Sequence, residues 1–282
     1  MKILITGSTS TVTKALKPAL SELGEVLTAG RKEANIYFDL NDTTEETVLP
    51  NGIDVLIHTA SKFGGQTNQD LIETESANVI GTLKLLSAAK EAGVGHFILI
   101  SSIFSQLEPR SPHYNIYALS KKHTEEVCSL FCLKNSLPLT IVRPSQLYGK
   151  EEYFSKHQPF FYSIINKAQN NQDIILQGNP GPKRNYLFIT DLTNIIFKIT
   201  KNKITGTYSC AFPQDISYLE IATAAVEAFN SKSEIICETD KPILPDNIFS
   251  SDDTIYKKIG FYPEVSIKSG MKRIAEYRNS GK

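Results

Sequence analysis

Apolar residues in the first half of the chain fall into short runs, separated by stretches of helical period. Lys2–Thr6 is one such run, and Val12, Ala15, Leu16, Ala19, Leu20 and Leu23 then recur at the spacing of one helix face. Pro18 lies inside that pattern, where its missing N–H should remove a hydrogen bond and kink the helix. Gly24 ends the helix. Glu25–Thr28 reads as a second strand and Asn35–Phe38 as a short third. Ile53–His58 is apolar on both faces, as a strand buried in a parallel sheet should be. A long helix follows with Ile72, Val79, Leu83 and Leu86 on one side. A strand over Phe97–Ile100, a helix over Tyr114–Cys132 and a strand over Leu139–Val142 complete the series.

This alternation predicts an α/β fold with a doubly wound, Rossmann-type parallel sheet. After Tyr148-Gly149 the texture changes to aromatic and polar loops as far as Arg184, then to shorter elements. Ser217 and Glu220 make a capping box that opens a helix through Phe229. The division read from this is a dinucleotide-binding domain over 1–150 and a smaller C-terminal α/β substrate domain over 151–282. The strand near 186–189 and the helix after Asp191 are expected to rejoin the first domain, near 185–203.

Charge and composition exclude several classes. Thirty basic and thirty acidic residues cancel, which removes the footprint of a nucleic-acid binder. No apolar run reaches membrane-spanning length, and the opening MKILITGS reads as a strand rather than a signal peptide. A cytoplasmic protein is expected. Cys128, Cys132, Cys210 and Cys237 show no metal spacing and read as small apolar fillers in a reducing compartment. Cys128 and Cys132 stand four apart, on one side of their helix. His58 ends a buried strand and reads as a packed residue rather than a catalyst. His96, His113, His123 and His157 have no ligand spacing, so no metal is expected.

The chemistry-bearing residues cluster after strand ends. A strand running into Thr6-Gly7 and then a helix is where a dinucleotide pyrophosphate sits on backbone N–H groups. The usual spacing is G-x-x-G-x-x-G, and here it reads Gly7, Ser8, Thr9, Ser10, Thr11, Val12, Thr13. Ser10 and Thr13 put side chains where glycines normally leave bare backbone. Together with Pro18 they predict a displaced helix start and weaker dinucleotide binding. The second strand closes on Ala29-Gly30-Arg31 with no acidic residue for a ribose 2′-hydroxyl, and Arg31 instead suits a 2′-phosphate, favouring NADP. Asp39-Leu40 suits a carboxylate over an adenine amino group. Tyr117 and Lys121 share one helical face at i,i+4. The ammonium is expected to lower the phenol's pKa and make it a proton shuttle, one short loop after the hydroxyls of Ser101 and Ser102.

With these residues in view, the chain resembles the NAD-dependent epimerase/dehydratase family, the extended short-chain dehydrogenases that act on nucleotide sugars. Asp54–Ala60 resembles the family's fourth-strand motif, and the resemblance implies that Thr59, Ala60 and Ser61 line the nicotinamide. Asn78-Val-Ile-Gly81-Thr82 resembles its long-helix signature. Phe97–Ser102 resembles its catalytic strand, Tyr114–Lys121 its active-site helix, and Ile141–Pro144 with Tyr148-Gly149 its sixth strand and following loop. Gln177-Gly178 with Arg184–Asp191 resembles a second-domain segment whose arginine meets the substrate diphosphate. Gly260–Pro263 and Gly270 resemble its C-terminal signature.

The resemblance implies Ser102, Tyr117 and Lys121 as catalytic residues and NAD or NADP as cofactor. The cofactor would be held by Gly7, Thr9, Ser10, Thr11, Val12, Arg31, Asp39, Leu40, Thr59, Ala60, Ser61, Tyr117, Lys121 and Pro144. A nucleotide-sugar substrate would meet Ser102, Gln146 and Arg184, and a homodimer is admitted. The chain departs from the family in the glycine motif, in Gln146 where an asparagine is common, and in Ile103-Phe104 where 4,6-dehydratases carry an acidic pair. An epimerase acting at C4 is the first expectation and an NADPH-dependent reductase of a 4-keto-6-deoxy sugar the second. A non-catalytic dinucleotide sensor is the third.

Overall fold

The computed structural model describes residues 1–42, 47–150, 152–178, 181–240, 245–250 and 252–280. In chain order, β1 (Lys2–Thr6), α1 (Thr11–Leu20), β2 (Glu25–Gly30), β3 (Ile36–Tyr37) and β4 (Val55–His58) lead into α2 (Asn68–Glu75). A π-helical turn over Ser76–Ile80 joins α2 to α3 (Gly81–Glu91), followed by β5 (Phe97–Ile100), α4 (Ile116–Asn135) and β6 (Leu139–Pro144). The rest comprises β7 (Gln146–Tyr148), α5 (Pro159–Gln169), β8 (Ile174–Gln177), β9 (Lys183–Arg184), β10 (Tyr186–Phe188), α6 (Ile189–Asn202) and β11 (Gly206–Cys210). It ends with β12 (Ile216–Ser217), α7 (Tyr218–Phe229), β13 (Ile235–Glu238), α8 (Thr254–Ile259) and α9 (Ile267–Asn279).

Two compact units emerge. The first holds Met1–Pro144, Thr193–Cys210 and Asp253–Gly260; the second holds Ser145–Leu192, Ala211–Asp252 and Phe261–Lys282. In the first, a seven-stranded sheet runs β11-β6-β5-β4-β1-β2-β3, all parallel. Order reverses on either side of β1, the topology of a doubly wound Rossmann-type sheet. The second unit contains the pairs β7–β10, β8–β13 and β9–β12. The strand at Tyr186–Phe188 pairs with Gln146–Tyr148 inside this second unit, and the chain re-enters the first unit at Thr193.

Burial explains the strands. Ile3, Leu4, Ile5, Leu56, Ile57, Phe97 and Ile98 are fully buried, as expected of a sheet covered on both faces. Gly81 lets α3 approach the segment after β3, because a Cβ there would lie 2.5 Å from the Leu40 carbonyl. Cys128 and Cys132 are free thiols buried on the same side of α4, inside the core. Two expectations fail for identifiable reasons. Ile72 is exposed rather than on the buried face, because the π-helical turn at Ser76–Ile80 inserts a residue and rotates α2 relative to Val79, Leu85 and Leu86. The start of α1 is not displaced: the helix begins at Thr11 with Ser10 as its N-cap. Pro18 lies in the last turn of α1 and is exposed, where water can serve the carbonyl that its missing N–H leaves. No helix among the described residues is long and apolar enough to cross a membrane.

His58 binds three elements together. Its Nδ1 lies 2.6 Å from Thr6 Oγ1 on β1 and its Nε2 3.0 Å from Thr82 Oγ1 on α3. Burial, and then the charge of Lys121, push the imidazole down to about 3. The unfolded chain therefore takes up a proton below pH 6.5 that the folded chain refuses. His58's contribution is complete above pH 6.5 and is lost as pH falls towards 3. Urea unfolding at pH 7 and pH 5 should show a loss of about 2 kcal/mol from this residue. A His58→Asn variant should show a correspondingly shallower acid slope; an unchanged slope would refute this assignment.

Candidate active site

The parallel register brings the C-terminal ends of β1, β2, β4, β5 and β6 to one edge of the sheet. Thr6 stands beside Ala29 and His58, His58 beside Leu99, and Ile100 beside Val142. The first-unit residues singled out by sequence stand at or just past that edge, which is where open α/β sheets bind ligands.

Gly7 opens the β1–α1 turn at φ +79°, and a Cβ there would lie 2.9 Å from Thr59 Oγ1 and 3.1 Å from the Ala60 nitrogen. Only glycine fits that position. Gly7 and Ser8 donate their N–H groups to Ala29 O, and Ser10 donates to Gly7 O. Thr9 is exposed. Ser10 Oγ accepts the Thr13 N–H at 3.0 Å, so the N–H groups of Thr11 and Val12 are the ones at the helix start that neither the helix nor the cap uses. A positive-φ glycine between strand and helix, followed by uncapped N–H groups, fits a dinucleotide's pyrophosphate. Thr59 and Ala60 are tied to Thr6, whose Oγ1 accepts both their N–H groups at 3.2 and 3.3 Å, and Ser61 follows, half-buried.

Elsewhere on this edge the residues scatter more. Arg31 is exposed just after β2. Asp39 Oδ1 accepts from the backbone and side chain of Asn41, which leaves its other oxygen outside that turn. The Leu40 side chain belongs to the hydrophobic core. Pro144 is buried at the end of β6.

Ser102, Tyr117 and Lys121 come together. Tyr117 shares a hydrogen bond with the Ser102 hydroxyl. Lys121 is buried, donates from Nζ to Ile100 O at 3.2 Å and stands over the Tyr117 ring, 5.6 Å from its centroid. The expected electrostatics of the phenol is corrected here. Burial pushes Tyr117 up to about 12, against the opposing pull of the Ser102 hydrogen bond. The nearby ammonium is itself desolvated, pushed down to about 8 by burial while Glu125 opposes the shift. Tyr117 is therefore a neutral phenol across the neutral range.

Three contributors were missed by sequence reasoning. Glu125, buried one turn after Lys121, accepts from Ser101 Oγ at 2.5 Å and from Arg143 Nε and Nη2 at 3.0 and 2.5 Å. This ties β5, α4 and β6 together immediately behind Ser102. Its i,i+4 offset from Lys121 was the available signal. Asn78, in the π-helical turn, accepts the Lys62 N–H at 2.7 Å and donates to Lys62 O and Ser120 Oγ, fixing the loop after β4. That loop lays the Phe63 ring against Tyr117 in a stack, centroids 5.0 Å apart and planes 12° from parallel. Asn78 opens the segment that resembles the family's long-helix signature, which was the available signal, but the π-helical turn carrying it has no recognisable period that would place its side chain.

In the second unit, Gln146 Nε2 donates to Gln158 Oε1 at 3.0 Å. Arg184 is buried, donates from Nη1 to the carbonyls of Lys183 and Pro245 at 2.8 and 2.9 Å, and stacks over the Tyr218 ring.

A sequence model of the NAD dependent epimerase/dehydratase family matches residues 3–211. The chain belongs to that family. As a member, it is an enzyme of the extended short-chain dehydrogenase type. It is 28% identical over 247 residues to dTDP-D-glucose 4,6-dehydratase of Bos taurus, spanning 80% of this chain and 67% of that protein. Against CDP-abequose synthase of Salmonella muenchen it is 23% identical, spanning 97% of this chain and 96% of that protein. Among solved structures, Bordetella bronchiseptica WbmF in complex with NAD+ matches with a TM-score of 0.81 at 19% identity, over 99% of this chain and 93% of that one. At that identity the likeness speaks for the fold.

Replacing Glu125 by Gln leaves Arg143 without its carboxylate and removes the charge that favours the Lys121 ammonium. Denaturant unfolding should show a loss of roughly 2–3 kcal/mol, below the range for a fully buried pair because Arg143 is partly exposed. A variant as stable as the parent would show that the network is structurally idle.

Proposed function

We propose that this enzyme is an NAD(P)-dependent nucleotide-sugar epimerase acting by transient oxidation and reduction at C4 of the sugar. The carrying observation is the hydrogen-bonded Ser102–Tyr117 pair over a buried Lys121 at the carboxyl edge of the sheet. A nicotinamide held there would take up and return hydride at the sugar carbon. In the oxidative half-reaction Tyr117 would have to act as its phenolate, which the positive charge of Lys121 and of an oxidised nicotinamide would favour, and take the proton of the sugar hydroxyl. In the reductive half it would return that proton to the keto oxygen, with Ser102 hydrogen-bonding the same oxygen. Lys121 would hold the nicotinamide ribose and supplies positive charge beside the Tyr117 ring. The residues that would hold the dinucleotide are those of the β1–α1 turn for its phosphates, Asp39 for the adenine, and Thr59, Ala60, Ser61 and Pro144 for the nicotinamide. Gln146 and Arg184 bind the sugar nucleotide, whose class is supported by the names of the relatives, a dTDP-glucose enzyme and a CDP-sugar synthase.

A second reading, an NADPH-dependent reductase of a 4-keto-6-deoxy sugar, is favoured by Arg31. It stands exposed at the end of β2, where no acidic residue claims a ribose 2′-hydroxyl. The neutral Tyr117 phenol also suits donation to a keto oxygen. A sensor without chemistry has no physical need for the assembled Ser102, Tyr117 and Lys121. Elimination of water is disfavoured, despite the dehydratase relatives, because the two residues after Ser102 are the apolar Ile103 and Phe104, which supply neither acid nor base.

Tyr117→Phe should lower turnover on UDP-, dTDP- or CDP-hexoses by about a thousandfold or more while leaving dinucleotide affinity within about twofold, since only the proton path is lost. Turnover at the parental rate would sink the mechanism. No 4-keto-6-deoxy product should accumulate from a plain nucleotide hexose, as judged by mass spectrometry of the products.

A further inference from the structure

Ser10 and Thr13 occupy the second and third glycine positions of the phosphate turn, yet the turn is intact. Their hydroxyls explain why. Ser10 Oγ accepts the Thr13 N–H and donates to Thr13 Oγ1, both at 3.0 Å. Thr13 Oγ1 lies 2.9 Å from Thr59 Oγ1 and 3.3 Å from Thr6 O, and Thr59 Oγ1 donates to Thr6 O at 2.6 Å. Ser10 and Thr59 hydroxyls are themselves 3.1 Å apart. Each hydroxyl has one proton to give, and the set consumes all three internally: Ser10 to Thr13, Thr13 to Thr59 or Thr6 O, and Thr59 to Thr6 O. Thr13 is 1% exposed, so its side chain fills the space between α1 and the ends of β1 and β4 that a glycine would leave to closer packing.

We propose that Ser10, Thr13 and Thr59 form a hydroxyl latch that replaces the two absent glycines, holding the first turn of α1 so that the Thr11 and Val12 N–H groups serve the cofactor's pyrophosphate. Resting on the dinucleotide-binding reading above, this assigns Ser10 and Thr59 as positioning residues rather than phosphate ligands. A phosphate oxygen needs a donor, and the Ser10 proton is already given to Thr13. Thr59 comes from the loop after β4, so the latch also couples the phosphate turn to the segment proposed to line the nicotinamide.

The latch reverses the simpler expectation that the side chains merely obstruct the turn. If they obstructed it, Ser10→Gly would restore the glycine and tighten binding. With a latch, Ser10→Gly removes the cap and one strand of the network, and NAD and NADP binding should weaken about fivefold, the effect of one hydrogen bond. Thr59→Val, nearly isosteric but without the hydroxyl, should weaken it to a similar degree, whereas Ser10→Thr, which keeps a capping hydroxyl, should stay within about twofold of the parent.

The experiment is calorimetric titration of the parent and these variants with NAD and with NADP, alongside urea midpoints for Ser10→Gly, Thr59→Val and the double variant without dinucleotide. The latch predicts that the double variant loses clearly less stability than the sum of the singles, because breaking either member already releases the other. Additive losses, or a Ser10→Gly variant that binds as tightly as the parent or more tightly, would overturn the proposal. A parent that binds neither dinucleotide refutes the cofactor reading instead, and the stability cycle still decides whether the latch exists.

Discussion

An ammonium buried beneath the edge of a parallel sheet sets the terms for the site. Lys121 is almost fully buried, and taking its charge out of water is expensive unless oxygen atoms meet it. The Ile100 carbonyl supplies one, and the Glu125 carboxylate, one helical turn away, supplies opposing charge. Glu125 in turn is held by Ser101 and by Arg143, so satisfying the lysine draws β5, α4 and β6 into one connected network. On the other side, the same positive charge helps keep His58 neutral, and a neutral imidazole is what can bridge Thr6 and Thr82 without a charge penalty. The geometry around Lys121 and the packing of the central strands are thus parts of one arrangement.

From that arrangement follows the character of the phenol. Tyr117 is shielded by its own helix and by the stacked Phe63 ring, and it meets the Ser102 hydroxyl. Desolvation dominates, so the residue is held as an acid. The loop that presents Phe63 is itself fixed by Asn78, and Gly64 at φ +78° lets it pass within contact of the Tyr117 backbone nitrogen. The Tyr117 phenol, the Ser102 hydroxyl and the Lys121 ammonium are therefore positioned by regular elements and one tightly bonded loop, which is how a site keeps its geometry.

Much of this was legible in the chain. The apolar runs marked the strands of the central sheet because both faces of that sheet are covered, and the Tyr117–Lys121 spacing placed the two side chains together on α4 because four residues make about one turn. What stayed hidden was what depends on partners distant in sequence. Thr59 lies 46 residues from the Thr13 it bonds, so Ser10 and Thr13 read as damage to a motif rather than as two members of a network. The spacing of Glu125 from Lys121 does not by itself reveal its role, because Arg143 and Ser101 meet it only in the fold. The π-helical turn broke the period that placed Ile72 on the buried face. The direction of the Tyr117 shift was misjudged for a different reason: spacing reveals a neighbouring charge but not the loss of water around both groups.

If the altered β1–α1 turn still delivers a nicotinamide dinucleotide to the Ser102, Tyr117 and Lys121 cluster, the intact protein binds one. Native mass spectrometry of the intact protein, incubated with equal concentrations of NAD and NADP, tests it most directly. The expected result is a complex with one dinucleotide per chain, its mass reporting which of the two is held. A chain that remains unliganded with both, at concentrations that load other members of the family, would contradict it.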